Sequence, residues 1–220
     1  MTTSVNVTAP TKALSSPPLS SLAPSAFLRR LVEGNHLVGI SRFLFQPGSL
    51  FCAPDLWWSS GPQTSPARRP HPHEGLDLYW MEKGDGDAQA IDPFMLIPSL
   101  LPGTLLHCHH DFLGETLYIQ HPDIRRGNAC FHTIFGHMRP GGWSGTAVIL
   151  PDQFLGTINP LAAKGKAPAH LHISCAWIAD NFPRTALCWE AVATNEAVRL
   201  IDPFPLLIAG QEISDLLAAN

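Results

Sequence analysis

The sequence predicts a mainly β protein, folded as a single antiparallel β domain with short helices towards its ends. Two observations support this class. Between residues 90 and 120, short apolar runs alternate with turn residues such as Pro102-Gly103, a pattern typical of antiparallel strands. The chain has 220 residues and 45% hydrophobic content, which is enough for one domain with a core and an extension. No solenoid-type repeat is visible.

The predicted elements follow from apolar periodicity and turn residues. A helix is expected over residues 25–33, because Ser25 can cap a segment with Phe27, Leu28 and Leu31 on one side. Strands are expected over residues 36–45, 74–80, 91–101, 104–109, 116–120, 129–138, 145–150, 153–158 and 169–178. Residues 46–69 read as a loop, and 186–198 fit either a strand or a helix. Residues 211–219 predict a C-terminal helix.

These elements predict an N-terminal extension with a short helix over residues 1–40, the β domain over 41–210 and a helical tail over 211–220. Residues 1–24 are rich in Ser, Thr, Pro and Ala and lack a basic start and an apolar segment, so we expect no export signal in this chain. No apolar run reaches the roughly 18 residues of a membrane span. The compartment stays open at this point.

Charge and cysteine content exclude several classes of function. The chain has 14 Lys and Arg against 18 Asp and Glu, a net charge of −4, and no basic stripe, so a nucleic-acid partner is not expected. None of the five cysteines forms a C-x-x-C pair, which argues against a zinc ribbon and a thioredoxin-type redox site.

Histidines are more frequent in H-x-H pairs than composition explains. Eleven histidines would give roughly half of one such pair by chance, whereas the chain has three. In a strand, residues i and i+2 share a face, so His170 and His172 point together while Leu171 faces the opposite side. The strand expected over 169–178 therefore presents two imidazoles on one face, as a metal site on a strand requires.

A second group of candidate metal ligands lies at the start of the strand predicted over 74–80. There His73, Gly75 and Asp77 share one face, and the missing side chain at Gly75 leaves room between imidazole and carboxylate. The alternative interpretation is a polar loop that enters a strand. His137, which follows Gly136 near a strand end, has open space in front of it and suits a catalytic group.

A third group of metal-ligand residue types is interpreted as a strand end. It comprises His107, Cys108, His109, His110 and Asp111. Alternation puts His107 and His109 on one face and Cys108 on the other, so these side chains cannot all converge. A second metal site there is the weaker alternative.

The order of motifs resembles that of the lysostaphin-type zinc endopeptidases, which cut peptide cross-bridges in bacterial cell walls. The motifs are His73-x-x-x-Asp77, Phe135-Gly136-His137 and His170-Leu171-His172. Similar bridging segments occur at residues 102–105, 117–121, 155–158 and 202–203, so that the resemblance spans about residues 71–205. Position 135 is Phe where the family commonly has Tyr, and no departure removes a metal or catalytic group.

The resemblance implies a lysostaphin-like peptidase fold of the duplicated hybrid motif type, with a substrate groove across the sheet. It implies one zinc ion per chain, with His73, Asp77 and His172 as ligands. Such a mix of nitrogen and oxygen ligands, with one position left open, is standard for catalytic zinc. His170 and His137 are then suited to proton transfer or oxyanion stabilisation, and which does which is open.

The implied substrate is the peptide part of bacterial peptidoglycan, and the implied location is periplasmic or extracellular. The predicted function is a zinc-dependent endopeptidase that hydrolyses peptidoglycan cross-links or stem peptides. The first alternative is a non-catalytic relative that binds the cell wall or regulates an amidase. The second is a non-enzymatic β protein with incidental histidines.

Overall fold

A computed structural model describes residues 14–15, 25–56, 67–111, 113–143, 145–151, 153–160 and 168–208. The helix predicted over 211–219 lies outside the described residues, as does most of the predicted extension before residue 25. Within the described part of the chain, no helix is both long and apolar enough to span a membrane.

The structure is built mainly from strands. The helices are α1 (Ala26–Gly34), α2 (Trp189–Thr194) and α3 (Phe204–Leu207), with 3-10 turns at Pro47–Ser49 and Arg184–Ala186. The strands are β1 (Leu14–Ser15), β2 (Ile40–Phe45), β3 (Leu76–Leu78), β4 (Trp80–Lys83), β5 (Ala88–Ala90), β6 (Leu96–Pro98), β7 (Gly103–His110), β8 (Glu115–Arg126), β9 (Ala129–Pro140), β10 (Ala147–Ile149), β11 (Phe154–Ile158), β12 (Leu171–Ala179) and β13 (Val198–Ile201). Every pairing between these described strands is antiparallel, which confirms the predicted fold class.

Two sheets contain these strands. The smaller has the order β1-β2-β4-β5. The larger contains nine of the described strands, with the order β10-β7-β8-β9-β11-β6, and β12 pairs with β9, β3 and β13. Strand β12 therefore lies between β3 and β9, which places the segments that carry the three motifs next to one another.

Several predicted strands have different bounds in the structure. The strand predicted over 36–45 begins only at Ile40, because His36 and Gly39 adopt positive φ of 52° and 76° and turn the chain. The strand predicted over 74–80 is divided between the two sheets: β3 pairs with β12, and β4 pairs with β2 and β5. The segment predicted over 91–101 is a strand only at β6, and 186–198 contains helix α2.

The alternation of side chains along β12 separates two apolar clusters. Leu171, Ile173 and Cys175 point into the main core, whereas Ala176 and Ile178 join a second cluster on the opposite face. The second cluster also contains Val192 of α2 and Leu187, which lies just before this helix. By the same alternation, His172 lies on the face of the second cluster.

Helix α1 forms where predicted and is anchored in the main core. The Ser25 hydroxyl caps it by accepting a hydrogen bond of 3.1 Å from the Leu28 amide, and donates to the Leu207 carbonyl of α3. Phe27, Leu28 and Leu31 are buried in the main core. The domain boundary at residue 40 stays a prediction, although this helix packs with the β domain.

Candidate metal centre and active site

Strand register places the third motif, His170-Leu171-His172, between the first and the second. His172 on β12 is paired with Asp77 on β3 at one side and with Gly136 on β9 at the other. Asp77 and His172 are therefore cross-strand neighbours, whose side chains project from the same face of the sheet. Gly75 permits the close approach of these strands, since a Cβ there would lie 2.2 Å from the Ile173 carbonyl oxygen.

Three potential metal ligands converge at this position. The Asp77 Oδ1 atom lies 2.8 Å from His172 Nδ1 and 3.1 Å from His73 Nε2, and the two nitrogens are 3.2 Å apart. All three residues are buried. Within the described ranges of the chain, this is the group of His, Cys, Asp or Glu side chains whose ligand atoms are close enough to share an ion.

The donor set fits zinc. Ligand atoms at about 2.0–2.2 Å from a tetrahedral zinc ion lie roughly 3.3–3.6 Å from one another, so the observed separations need to open by only about half an ångström. The other ring nitrogens are occupied as in metal sites: His73 Nδ1 lies 2.9 Å from the Leu50 carbonyl oxygen, and His172 Nε2 lies 2.9 Å from Ser174 Oγ. The Leu50 carbonyl only accepts hydrogen bonds, so it favours the His73 tautomer that leaves Nε2 as an electron-pair donor, whereas the Ser174 hydroxyl can donate or accept and is compatible with either His172 tautomer.

The electrostatics also favour the ligating forms. Burial raises the pKa of the Asp77 carboxyl, but the surrounding His73, His170 and His172 imidazoles outweigh it and hold that pKa well below its usual range. Burial lowers the pKa of His172 to about 3, so its imidazole is neutral at pH 7. The Arg69 guanidinium, 3.3 Å from Asp77 Oδ2, supplies a positive charge beside the carboxylate.

His170 stands at the edge of this group, immediately before β12. Its Nδ1 lies 2.7 Å from the Pro168 carbonyl oxygen, which accepts a hydrogen bond from Nδ1–H and leaves Nε2 directed to the site. The Nε2 atom is 3.6 Å from Asp77 Oδ1. Burial lowers the pKa of His170 to about 4, so this imidazole is neutral and can accept a proton.

His137 completes the constellation from strand β9. Its ring centroid lies 4.8 Å from that of His170 and 5.7 Å from that of His172. The pairing of β8 with β9 shifts register here, and His137 has a left-handed φ of 60°. The irregular backbone thus turns the His137 side chain towards the site, to which regular alternation along β9 would not direct it.

The structure thus places all five predicted site residues together, and their roles remain predictions. Sequence reasoning missed their supporting residues. Arg69 and Ser174 contact proposed ligands directly. Asp111 lies beside His137, and Trp189 of α2 packs edge-on against His172 with ring centroids 4.8 Å apart. Asp111 could have been suspected from its place in the polar run 107–111. No local sequence pattern distinguished Arg69, Ser174 or Trp189.

The other histidines of that polar run do not join the site. The rings of His107 and His109 lie 5.9 Å apart on β7, as alternation predicts. On the other face of β7, Cys108 and His110 each contact Glu115, at 3.5 and 3.3 Å. The interpretation of residues 107–110 as a strand end agrees with their position at the end of β7.

Comparisons with known proteins give structural matches alone: no protein-family model and no curated protein sequence matches the chain. Lysostaphin matches with 12% identity and a TM-score of 0.41, over 63% of this chain and 44% of its own. LytU matches with 16% identity and a TM-score of 0.40, over 65% and 76%. A candidate M23 peptidase from Pseudomonas aeruginosa matches with 20% identity and a TM-score of 0.40, over 84% and 61%.

All three matches have identities of 20% or less and TM-scores of 0.41 or less. The chain spans less than half of lysostaphin and about three fifths of the Pseudomonas protein. The function proposed below therefore rests on the geometry of the site and on the sequence motifs.

Proposed function

We propose that this protein is a zinc-dependent endopeptidase that hydrolyses peptide cross-links or stem peptides of bacterial peptidoglycan. The observation that carries the proposal is the convergence of His73, Asp77 and His172, whose donor atoms lie 2.8–3.2 Å apart, with two further imidazoles beside them. A site of three ligands plus two proton-transfer groups is complete for metal-assisted hydrolysis.

His73, Asp77 and His172 would hold the ion through Nε2, Oδ1 and Nδ1. A zinc ion bound there supplies Lewis-acid chemistry, which polarises a peptide carbonyl and makes water a nucleophile near pH 7. The carboxylate would be the single negative ligand of the site, and the Arg69 guanidinium lies 3.3 Å from its other oxygen. Ser174 and the Leu50 carbonyl hold the two imidazoles in the required orientations.

The remaining two histidines carry the proton. His170 is neutral, and its Nε2 faces the ligand group, so it can accept a proton from the attacking water. His137 lies beside both His170 and His172, and its ring approaches each of them edge to face. As the imidazolium it can donate from Nε2 to the developing oxyanion or to the leaving amine. The two assignments are interchangeable on this geometry.

The choice of substrate rests on the motif resemblance. The lysostaphin-type enzymes act on bacterial cell walls, which suggests a peptidoglycan peptide for this chain. Its domain would then be the segment predicted over 41–210, acting outside the cytoplasm.

Cleavage of isolated sacculi tests the proposal. Purified protein should release new amino groups from sacculi, and a chelator should abolish the release until zinc is restored. Asp77→Ala should be inactive and His109→Ala active, because His109 lies outside the ligand group. Release that persists after the metal has been removed would contradict the zinc assignment.

One observation favours the non-catalytic alternative. The exposure of the five site residues is between 1% and 7%, which is low for a groove that must admit a polymer. A wall-binding or amidase-regulating protein would tolerate such burial. It would bind sacculi without releasing amino groups from any wall type, whereas a peptidase releases them from at least one.

A further inference from the structure

We propose that Asp111 is a positioning residue for His137, fixing the orientation and tautomer of its imidazole, and that Thr116 and Trp189 hold Asp111 in place. The proposal rests on the proposed function, in which His137 transfers a proton. Its structural content, the state of the His137 ring, can be measured without any substrate.

The two oxygens of the Asp111 carboxylate have different partners. Oδ1 accepts a hydrogen bond of 2.7 Å from the Leu113 amide and so closes the turn between β7 and β8. Oδ2 accepts from the Thr116 hydroxyl at 2.6 Å and from the His137 backbone amide at 3.2 Å, and lies 3.3 Å from His137 Nδ1. One oxygen thus serves the turn, and the other serves His137.

The chemistry of these groups determines the tautomer. An ionised carboxylate only accepts hydrogen bonds, so the proton of the neutral His137 ring is favoured on Nδ1 and the electron pair on Nε2. Burial raises the pKa of the Asp111 carboxyl, but the adjacent His137 ring and the Thr116 hydroxyl outweigh it and lower that pKa below its usual range. The carboxylate therefore stays ionised although its side chain is only 1% exposed.

Thr116 and Trp189 extend this chain of hydrogen bonds from the buried carboxylate to a half-buried indole. The Trp189 indole N–H donates to Thr116 Oγ1 at 3.0 Å, so the hydroxyl must direct its own hydrogen to Asp111. The same indole packs edge-on against His172. A turn that needed only a cap would be satisfied by Oδ1. The turn does not explain the buried contacts of Oδ2. They are explained if Oδ2 holds His137, because the left-handed backbone at His137 departs from regular strand geometry and does not fix the orientation of the ring.

Asp111→Asn tests the positioning of the His137 ring. The Asn carbonyl can keep the Leu113 contact, while the amide N–H group takes the place of Oδ2 and can only donate to the ring. The ring should then accept at Nδ1 and carry its proton on Nε2. Asp92→Asn is the matched control, because Asp92 Oδ1 caps an exposed turn through the Phe94 amide at 2.8 Å, without a histidine partner.

The experiment records long-range ¹⁵N–¹H NMR spectra of the histidine rings in the zinc-loaded wild type and both variants, with His137→Gln identifying the His137 signals. The wild type should show the Nδ1–H tautomer and Asp111→Asn the Nε2–H tautomer, with zinc stoichiometry retained and a lower thermal midpoint, because the new N–H group also faces the Thr116 hydroxyl and the His137 amide. In the sacculus assay kcat should fall at least about 10-fold with KM within about twofold. The control should match the wild type in every measurement.

Two results would overturn the inference. The first is a wild-type His137 ring protonated on Nε2, which decides the question even if Asp111→Asn fails to fold. The second is a folded Asp111→Asn variant that keeps both the wild-type tautomer and wild-type kcat. A wild type that cleaves no cell wall refutes the proposed function instead, and the spectra still decide whether Asp111 sets the state of His137.

Discussion

Removal of the carboxylate in Asp77→Ala should greatly lower the affinity of the protein for zinc. It should also lower the free energy of unfolding of the metal-free protein. The variant leaves only two neutral imidazoles as ligands. Loss of a supporting partner alone typically weakens metal binding about 10- to 100-fold, so loss of the charged ligand should exceed about 100-fold. Elemental analysis after dialysis should show zinc near stoichiometry in the wild type and His109→Ala, and little zinc in Asp77→Ala.

The effect on stability follows from the ion pair between Arg69 and Asp77. Their side chains are 10% and 1% exposed, and removing one partner of a buried pair costs about 3–5 kcal/mol. Arg69 also donates to the Gly48 and Asp55 carbonyls, which keep part of its hydrogen bonding, so we expect a loss near the lower end, about 3 kcal/mol. Urea unfolding of the metal-free proteins measures this difference.

A more exposed ion pair provides the control for that measurement. Arg42 and Glu82 approach to 2.7 Å, but their side chains are 33% and 19% exposed. Glu82→Ala should therefore lower the free energy of unfolding by about 1 kcal/mol or less. Equal stability losses in the two variants, together with equal zinc content in Asp77→Ala and His109→Ala, would refute both the ligand assignment and the electrostatic reasoning.

Three further predictions address packing, catalysis and pH. Gly75→Ala should destabilise the protein by about 1–3 kcal/mol in urea unfolding, because the added Cβ would lie 2.2 Å from the Ile173 carbonyl oxygen. His170→Ala and His137→Ala should each keep stoichiometric zinc and lower kcat on sacculi by about 10²- to 10⁴-fold. Burial lowers the pKa of His121 to about 4. The contribution of this neutral imidazole to the free energy of unfolding of the metal-free protein should therefore be fully present above pH 6.5. It should fall by up to about 3 kcal/mol as the pH drops towards 4.

Each of these has an internal control. Gly84→Ala should be close to neutral, because its added Cβ meets the nearest atom at 3.9 Å. Wild-type turnover in both histidine variants with full zinc would remove the proposed proton-transfer roles. His121→Gln should flatten part of the loss of stability at low pH. The remaining part belongs to other buried groups such as His132, whose pKa burial also lowers to about 4. An unchanged pH profile would show that His121 does not titrate as inferred.

The residues that share a face were predictable from the sequence, because side-chain direction in strands has a period of two. His170 and His172 were assigned to one side on that basis, and their rings do face the same site. The same rule excluded convergence of residues 107–109. The antiparallel class followed from short apolar runs between turns, and the cap of α1 followed from the chemistry of Ser25.

The bounds of β3 and β4 were not predictable in this way. Residues 74–80 are predicted as one strand, and only the pairing of its two parts with different sheets divides it at Tyr79. The motif resemblance chose the five site residues, and local periodicity alone left other histidine pairs as alternatives.

The sequence by itself therefore determined the chemistry available on each strand, whereas the tertiary structure decided which side chains meet. Asp111 and His137 are 26 positions apart in sequence, and they meet because β7, β8 and β9 are adjacent and β9 is irregular at His137. Arg69 reaches Asp77 from a loop, without any periodic signal. The physical reason is that side-chain direction is a local property of the backbone. Strand register and loop placement, in contrast, are set by the packing of the whole sheet.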